Sequence, residues 1–244
     1  MATSTVILPC LNEGKTLSDL LGRLLALPLP LQVIVVDDGS TDDTKAVLAA
    51  WRERVEVLTN PRPTGKGASI RAALPHARGE VVVIQDGDLE YFPEDLPSVL
   101  APVLSGEADA AYGSRFRHGM PAGMALANRV VNRLLVMWVW LLFGRRLSDE
   151  ATCYKAFRRE ALLRMRLRCV RFEFCPEVTA KAFRMGLRLV EVPIRYTPRS
   201  QAAGKKIRWT DAPHAFLTLW RLRHWRPGPA PALGAPMEDR GCMT

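Results

Sequence analysis

Apolar residues in the first 114 positions fall into five short runs: 5–9 (TVILP), 31–38 (LQVIVVDD), 55–60 (VEVLTN), 81–86 (VVVIQD) and 108–114 (ADAAYGS). Continuous Val/Ile-rich runs of this length predict strands covered on both faces, as in a parallel sheet. Between them, Leu17, Leu20, Leu21, Leu24 and Leu25 follow a three-to-four spacing, as do Val47, Leu48 and Trp51, which predicts helices. Ser40-Thr41-Asp42-Asp43 reads as a helix start, with carboxylates at the positive end of the helix dipole. Strand–helix alternation predicts an α/β fold, an open, mostly parallel sheet flanked by helices with right-handed crossovers. Ligands in such sheets bind beyond the carboxyl ends of the strands. Three of the runs end there in polar residues: Asn12-Glu13, Asp37-Asp38 and Asp86-Gly87-Asp88.

The pattern changes at 125. The segment 125–146 (ALANRVVNRLLVMWVWLLFGRR) is helical in length, with arginines towards both ends and an uncharged stretch from Leu134 to Gly144. A bilayer span needs about 20 apolar residues. The stretch therefore predicts an interfacial helix over 125–143, with Trp138 and Trp140 at headgroup level, or alternatively a core helix or a dimer contact. A helix over 175–186, a strand over 188–196 and a basic helix over 210–224 follow, and the Pro/Gly-rich 227–244 reads as a disordered tail.

Length and composition narrow the class. The 244 residues are 48% hydrophobic, which excludes collagen-like and disordered chains. Five cysteines without a C-x-x-C pair argue against a disulfide scaffold or structural zinc and for a reducing compartment. The N-terminal residues do not read as a signal peptide. Charge divides the chain: residues 1–114 carry 9 basic and 16 acidic side chains, and residues 115–226 carry 24 basic and 7 acidic. The basic half suits an anionic membrane surface, a phosphorylated ligand or nucleic acid; a solvated arginine face is the plain alternative.

Asp86 and Asp88 carry the strongest chemical signal. They lie two apart beyond an apolar strand, with Gly87 permitting a turn, and hard carboxylates there suit Mg²⁺ or Mn²⁺ with substrate phosphates completing the shell. The plain alternative is an acidic cap on the helix over 94–105, which Pro93 supports. Asp37-Asp38 takes the place of a ribose acceptor in dinucleotide folds, but no G-x-G-x-x-G precedes it. Thr64-Gly65-Lys66-Gly67 is similar to part of a phosphate loop, yet Asn60 stands where a P-loop has Gly. His76, His118, His214 and His224 lack both metal-ligand spacing and a serine elbow.

Taken in order, Pro9-x-x-Asn12-Glu13, Val36 to Asp42, Gly65-Lys66-Gly67, Asp86-Gly87-Asp88, Gly113-Ser114-Arg115, Ser148 to Phe157, Arg171 to Phe174, Glu191 to Ile194 and Arg199 to Lys206 resemble the family-two inverting glycosyltransferases. Within these the chain is most similar to the dolichyl-phosphate mannose synthase and polyprenyl-phosphate glycosyltransferase group. The resemblance covers residues 4–224 and implies a Rossmann-like GT-A domain over 1–226, with a nucleotide-sugar half (4–114) and an acceptor half (115–226). It implies that Pro9, Asn12, Glu13, Asp37 and Asp38 cradle base and ribose. Lys66, Asp86, Gly87 and Asp88 would meet the donor, with Asp88 and Glu90 on the metal. Arg115, Arg199, Lys205 and Lys206 would lie near phosphates, and Asp149 would be an acceptor-side carboxylate, giving Asp149, Asp88 and Arg115 as the catalytic set. Glu90 departs from the Gln that mannose synthases carry.

The expected activity is hexose transfer from a nucleotide sugar of the GDP-mannose or UDP-glucose type to a polyprenyl-type lipid phosphate, by a peripheral enzyme at the cytoplasmic face of the cell membrane. A divalent cation with Arg and Lys would neutralise the departing diphosphate. A lipid monophosphate, with a second pKa of about 6, needs little base catalysis, whereas a hydroxyl acceptor would call on Asp149. The alternatives are a soluble or polysaccharide acceptor in envelope synthesis, and an inactive nucleotide-sugar or nucleic-acid binding module. Carboxylates at the ligand edge argue against nucleic acid.

Overall fold

The computed structural model of the chain describes residues 3–228 except 118, 122 and 200–211. Seven strands form one sheet in the order β3-β2-β1-β4-β6-β5-β7. They are β1 (Ser4–Cys10), β2 (Leu31–Asp37), β3 (Glu56–Thr59), β4 (Val81–Ile84), β5 (Ala110–Ser114), β6 (Lys155–Arg158) and β7 (Leu189–Pro193). All pairings are parallel except those of β6, which runs antiparallel to both β4 and β5. The five runs read from the sequence are the first five strands, and the strand expected over 188–196 is β7. Every residue of β1 and β4 is buried, the signature of strands covered on both faces.

The helices are α1 (Leu17–Leu25), α2 (Thr44–Trp51), α3 (Lys66–Ala73), α4 (Leu96–Leu104), α5 (Leu126–Phe143), α6 (Arg159–Arg164), α7 (Phe174–Arg184) and α8 (Ala212–Leu222). The leucine spacing of α1 does what it predicts, since Leu17, Leu20, Leu21 and Leu24 are buried. At the start of α2 the N-cap is Asp43, and the residue before it, Asp42, accepts from the Thr44 amide through Oδ1. Pro93 opens a short 3₁₀ turn before α4. Neither α3, α6 nor β6 follows from the hydrophobic pattern: β6 is only four residues long, and the Gly in KGASIRAA weakens its helical signal.

Helix α5 lies on the flank of the domain. Asn132, Leu135 and Val139 face inward, and the helix packs on α7 and α8. Its other face exposes Leu126, Val130, Leu134, Met137, Trp140 and Leu141. The helix is therefore neither a core helix nor surrounded by solvent. By length and composition it is apolar enough to cross a membrane, but its inner stripe is covered by the domain. Trp138 sits on the covered side, stacked 6.1 Å from Trp220 and donating from Nε1 to the Phe216 carbonyl at 3.3 Å. Only Trp140 of the two tryptophans is exposed. Gly144 closes α5 in the left-handed conformation, φ 66°, with its amide on the Trp140 carbonyl.

Candidate active site

The strand order places a crevice between β1 and β4, because the chain leaves β1 towards β2 on one side while β4 lies on the other. The two strands pair only as far as Ile7 and Ile84, and beyond these residues β1 continues against β2 alone. Pro9 falls in that continuation, so its missing amide takes nothing from the β4 ladder. The loops after β1 and β2 are sewn together: the Asn12 amide donates to Ser40 Oγ, Asn12 Oδ1 accepts from the Thr41 amide, and the Glu13 amide donates to Thr44 Oγ1, at 2.8–2.9 Å. Asn12 accepts a left-handed backbone, φ 54°, to do so.

Acidic and basic groups converge at the mouth of this crevice. Arg199 Nη2 donates to Asp88 Oδ2 at 2.7 Å, and its Nη1 donates to Glu13 Oε2 at 3.1 Å. The Arg199 amide donates to Glu90 Oε1 at 2.9 Å, and Tyr196 Oη donates to Glu90 Oε2 at 2.6 Å. Lys66 Nζ forms an ion pair with Asp86 and lies 3.3 Å from Cys153 Sγ. Burial works against the lysine charge, but Asp86 beside it holds the pKa well above the ordinary value. Asp88 is pushed up to about 7 by burial and by the neighbouring Asp86 and Glu90, with Arg199 pulling the other way. Gly87 is packed tightly, since a Cβ there would stand 3.0 Å from Cys10 Cβ.

Other predicted residues have structural partners. Asp38 is buried and holds the loop 60–65: Oδ1 accepts from Asn60, the Thr64 amide and Thr64 Oγ1, and Oδ2 accepts from the Gly65 amide at 2.7 Å. Asp37 is buried with Oδ1 on the Ser40 amide, while Oδ2 has no hydrogen-bond partner among the described residues. Such an atom costs roughly 1–3 kcal/mol until a donor reaches it. Gly65 takes φ 106°, and a Cβ there would lie 2.5 Å from the Val170 carbonyl oxygen. The first amides of α3, at Gly67 and Ala68, donate to the carbonyls of Arg171 and Val170. The helix start is thus closed by backbone rather than open as a phosphate cradle.

Arg115 and Asp149 form a separate, sealed pair. Arg115 Nε and Nη2 each donate to an Asp149 oxygen at 2.7 Å, and the Arg115 amide adds a third bond to Oδ2. Asp149 is fully buried, and its charge holds the buried guanidinium well above the ordinary arginine pKa despite desolvation. Glu191 accepts from the Ser148 and Asp149 amides, and Asn132 of α5 holds the amides of Glu150 and Ala151. The Arg115 guanidinium lies 5.0 Å over the Tyr196 ring, so Tyr196 links this pair to Glu90 in the crevice. The sequence reading did not single out Tyr196, Cys153 or Tyr91, whose hydroxyl accepts from the Cys153 amide. Lys205 and Lys206 lie outside the described residues.

The crevice can take a divalent cation in one way. Among the described residues no three His, Cys, Asp or Glu side chains gather as a protein cage. Asp88 with Glu90 supplies hard oxygen donors, and the Arg199 guanidinium already places a positive charge on Asp88. One or two carboxylates with the remaining shell from phosphates is the usual Mg²⁺ arrangement. The residues fit that arrangement.

Residues 5–165 match the model of glycosyl transferase family 2. The chain belongs to this family. It is 32% identical over 221 residues to polyprenol monophosphomannose synthase of Mycolicibacterium smegmatis, covering 83% of this chain and 82% of that one. It is 29% identical to the glycosyltransferase AglJ of Haloferax volcanii, covering 88% of this chain and 70% of the relative. Glucosyl-3-phosphoglycerate synthase of Mycobacterium tuberculosis, solved with Mn²⁺, UDP-glucose and phosphoglyceric acid, superposes with a TM-score of 0.70 at 23% identity, covering 93% of this chain and 82% of that one. That likeness shows a GT-A glycosyltransferase fold, as the family-two resemblance implied.

Proposed function

We propose that this family 2 glycosyltransferase moves a hexose from a nucleoside diphosphate sugar, of the GDP-mannose or UDP-glucose type, to a polyprenyl-type lipid phosphate. It does so as a peripheral enzyme at the cytoplasmic face of the cell membrane. The observation that carries the acceptor is the outer face of α5. Six large apolar side chains are exposed along it, continued by Leu217 and Trp220 of α8. From 125 to 146 the chain has four arginines and no acidic residue, and from 212 to 226 three arginines and none. An apolar stripe rimmed only by positive charge complements an anionic lipid surface, at about 1 kcal/mol per basic residue near it. Two copies of the same face would oppose like charges, which disfavours a homodimer through it. The mycobacterial relative is, by its name, a synthase of polyprenol monophosphomannose.

In this reading the donor enters between β1 and β4. Asn12, Glu13 and Asp37 face base and ribose, and the buried Asp37 Oδ2 gains a ribose donor. A divalent cation held by Asp88 and Glu90 would neutralise the diphosphate. Lys66 holds Asp86 in place, and Arg199, Lys205 and Lys206 serve phosphate oxygens. A lipid phosphate oxygen attacks the anomeric carbon as the bond from that carbon to the diphosphate oxygen breaks, which inverts the centre. Asp149 is already closed by Arg115 and serves as its counter-ion rather than as a base. The acceptor oxygen therefore arrives ionised, which suits a phosphate better than a hydroxyl.

The test is nucleoside diphosphate release from UDP-glucose and GDP-mannose, with polyprenyl monophosphate in anionic vesicles against soluble phosphorylated acceptors. Release that needs the lipid supports the proposal. Release that needs only a soluble acceptor transfers the assignment to that acceptor.

A further inference from the structure

Arg199 has a placement that the family reading does not explain. Residues 196–199 lie along the chain that follows β4: Tyr196 bridges to Tyr91, and the Thr197 amide donates to the Glu90 carbonyl at 2.9 Å. This fixes the Arg199 backbone at the mouth of the crevice. Its side chain then reaches across to two loops at once, Nη2 on Asp88 and Nη1 on Glu13. A guanidinium is built to grip one planar acid or phosphate with two parallel bonds. Here Nη1 and Nη2 both reach Glu13, at 3.1 and 3.4 Å, Nη2 is shared with Asp88 at 2.7 Å, and Nε is buried without a hydrogen-bond partner among the described residues. The arrangement uses the arginine below its capacity.

We infer that Arg199 is an exchangeable internal counter-ion: it holds the cation position on Asp88 until a divalent cation and a diphosphate arrive together, and then transfers its fork to the diphosphate. The inference rests on the donor reading above and adds a coupling to it. A cation at Asp88 competes with the guanidinium for the same carboxylate charge, so one arriving alone weakens a 2.7 Å charge-assisted bond. A cation arriving with a nucleoside diphosphate offers the displaced guanidinium a better-matched bidentate partner. Cation and diphosphate therefore bind cooperatively, and Arg199 carries much of the coupling. Arg199 is in this sense a positioning residue for the donor.

The experiment measures Mn²⁺ binding by electron paramagnetic resonance, without substrate turnover. Wild type, Arg199→Gln, Arg199→Lys, Asp88→Asn and Arg195→Gln are compared, each with and without nucleoside diphosphate. Arg195 pairs with Asp95 at the surface and controls for loss of one positive charge. Circular dichroism and a melting curve establish that each variant is folded. The expected result is weak Mn²⁺ binding to wild type alone, strengthened at least tenfold by UDP or GDP. Arg199→Gln binds Mn²⁺ alone about tenfold more tightly than wild type, and its gain from the diphosphate shrinks. Arg199→Lys falls between the two, and Arg195→Gln matches wild type. If Arg199→Gln and wild type bind Mn²⁺ alike while Asp88→Asn has lost binding, the metal reading stands and the exchange is overturned. If Asp88→Asn binds Mn²⁺ as wild type does, the metal site itself is misplaced and the exchange falls with it.

Discussion

Two of the protein's arginine–aspartate contacts, Arg115–Asp149 and Arg199–Asp88, share a distance of 2.7 Å and differ in everything else. Arg115 and Asp149 meet through two parallel bonds, with a third from the backbone, in a place where the carboxylate is wholly buried. Arg199 meets Asp88 through one bond, shares its fork with Glu13, and stands at the open end of a parallel sheet. The first pair is complete without a ligand. The second shares one guanidinium between two carboxylates and is the pair proposed to open for a diphosphate. Ion-pair distance alone does not separate a structural pair from a ligand site; the number of satisfied donors and the neighbouring strand geometry do.

Breaking the sealed pair has the largest expected effect on the fold. Asp149→Ala leaves Arg115 buried without its counter-charge, a loss of about 3–5 kcal/mol. A chain of this size loses roughly 2–4 °C per kcal/mol, so a melting curve should fall by about 10 °C. Asp88→Ala sharpens the contrast. Removing a carboxylate from a cluster of like charges should leave the melting temperature within a few degrees, while hexose transfer falls about 10²-fold, as when one transition-state charge stabiliser is lost. If the two variants show the same loss of stability, the distinction between sealed and shared pairs fails.

Much of this frame was readable in the sequence. The apolar runs gave five strands because strands buried on both faces need nothing but β-branched and aliphatic residues, and the polar residues at their carboxyl ends marked the crevice. The partners did not show. Asp38 reads like a ribose acceptor, but its four hydrogen bonds to residues 60–65 come from a loop that no local pattern connects to it. The Tyr196 link between Glu90 and Arg115 joins positions about a hundred residues apart. The antiparallel β6, four residues long, carries no period of its own and is fixed by its place between β4 and β5. Trp138 and Trp140 looked equivalent in sequence, and the helical phase of α5 turns the first into the domain.

That phase redirects the membrane test. Leu134→Glu with Met137→Glu alters two side chains that are 43% and 49% exposed. Flotation with anionic liposomes should be lost while the melting temperature stays near wild type. A Trp138→Glu change should instead destabilise the fold through its contacts with Phe216 and Trp220. If wild type remains free of anionic liposomes at low salt, the docking face is refuted.

The smallest effect lies beside the sealed pair. Burial pushes the Glu150 carboxyl up from 4.5 to about 7, with Asp149 adding to the push and Lys155 opposing it. Its Oε1 lacks a hydrogen-bond partner among the described residues. Between those two pH values the unfolded chain has given up the proton that the folded chain keeps. Stability from the neutral form is therefore full below about pH 4.5 and declines as pH rises to about 7. Glu150→Gln escapes that decline. Its melting temperature relative to wild type should climb by a few degrees between pH 5 and pH 8, and a constant difference would show that Glu150 is ionised throughout.

The role proposed for the open crevice is to receive, through Asp88, a nucleoside diphosphate sugar with a divalent cation. Thermal shift of wild type and Asp88→Asn against UDP- and GDP-hexoses, each with and without Mn²⁺ or Mg²⁺, tests it most directly. A donor at a hundred times its dissociation constant stabilises the folded state by about 2.7 kcal/mol. A rise of roughly 5–10 °C is expected for at least one donor in wild type, dependent on the cation and absent in Asp88→Asn. An equal rise in Asp88→Asn, or no rise with any donor, would contradict it.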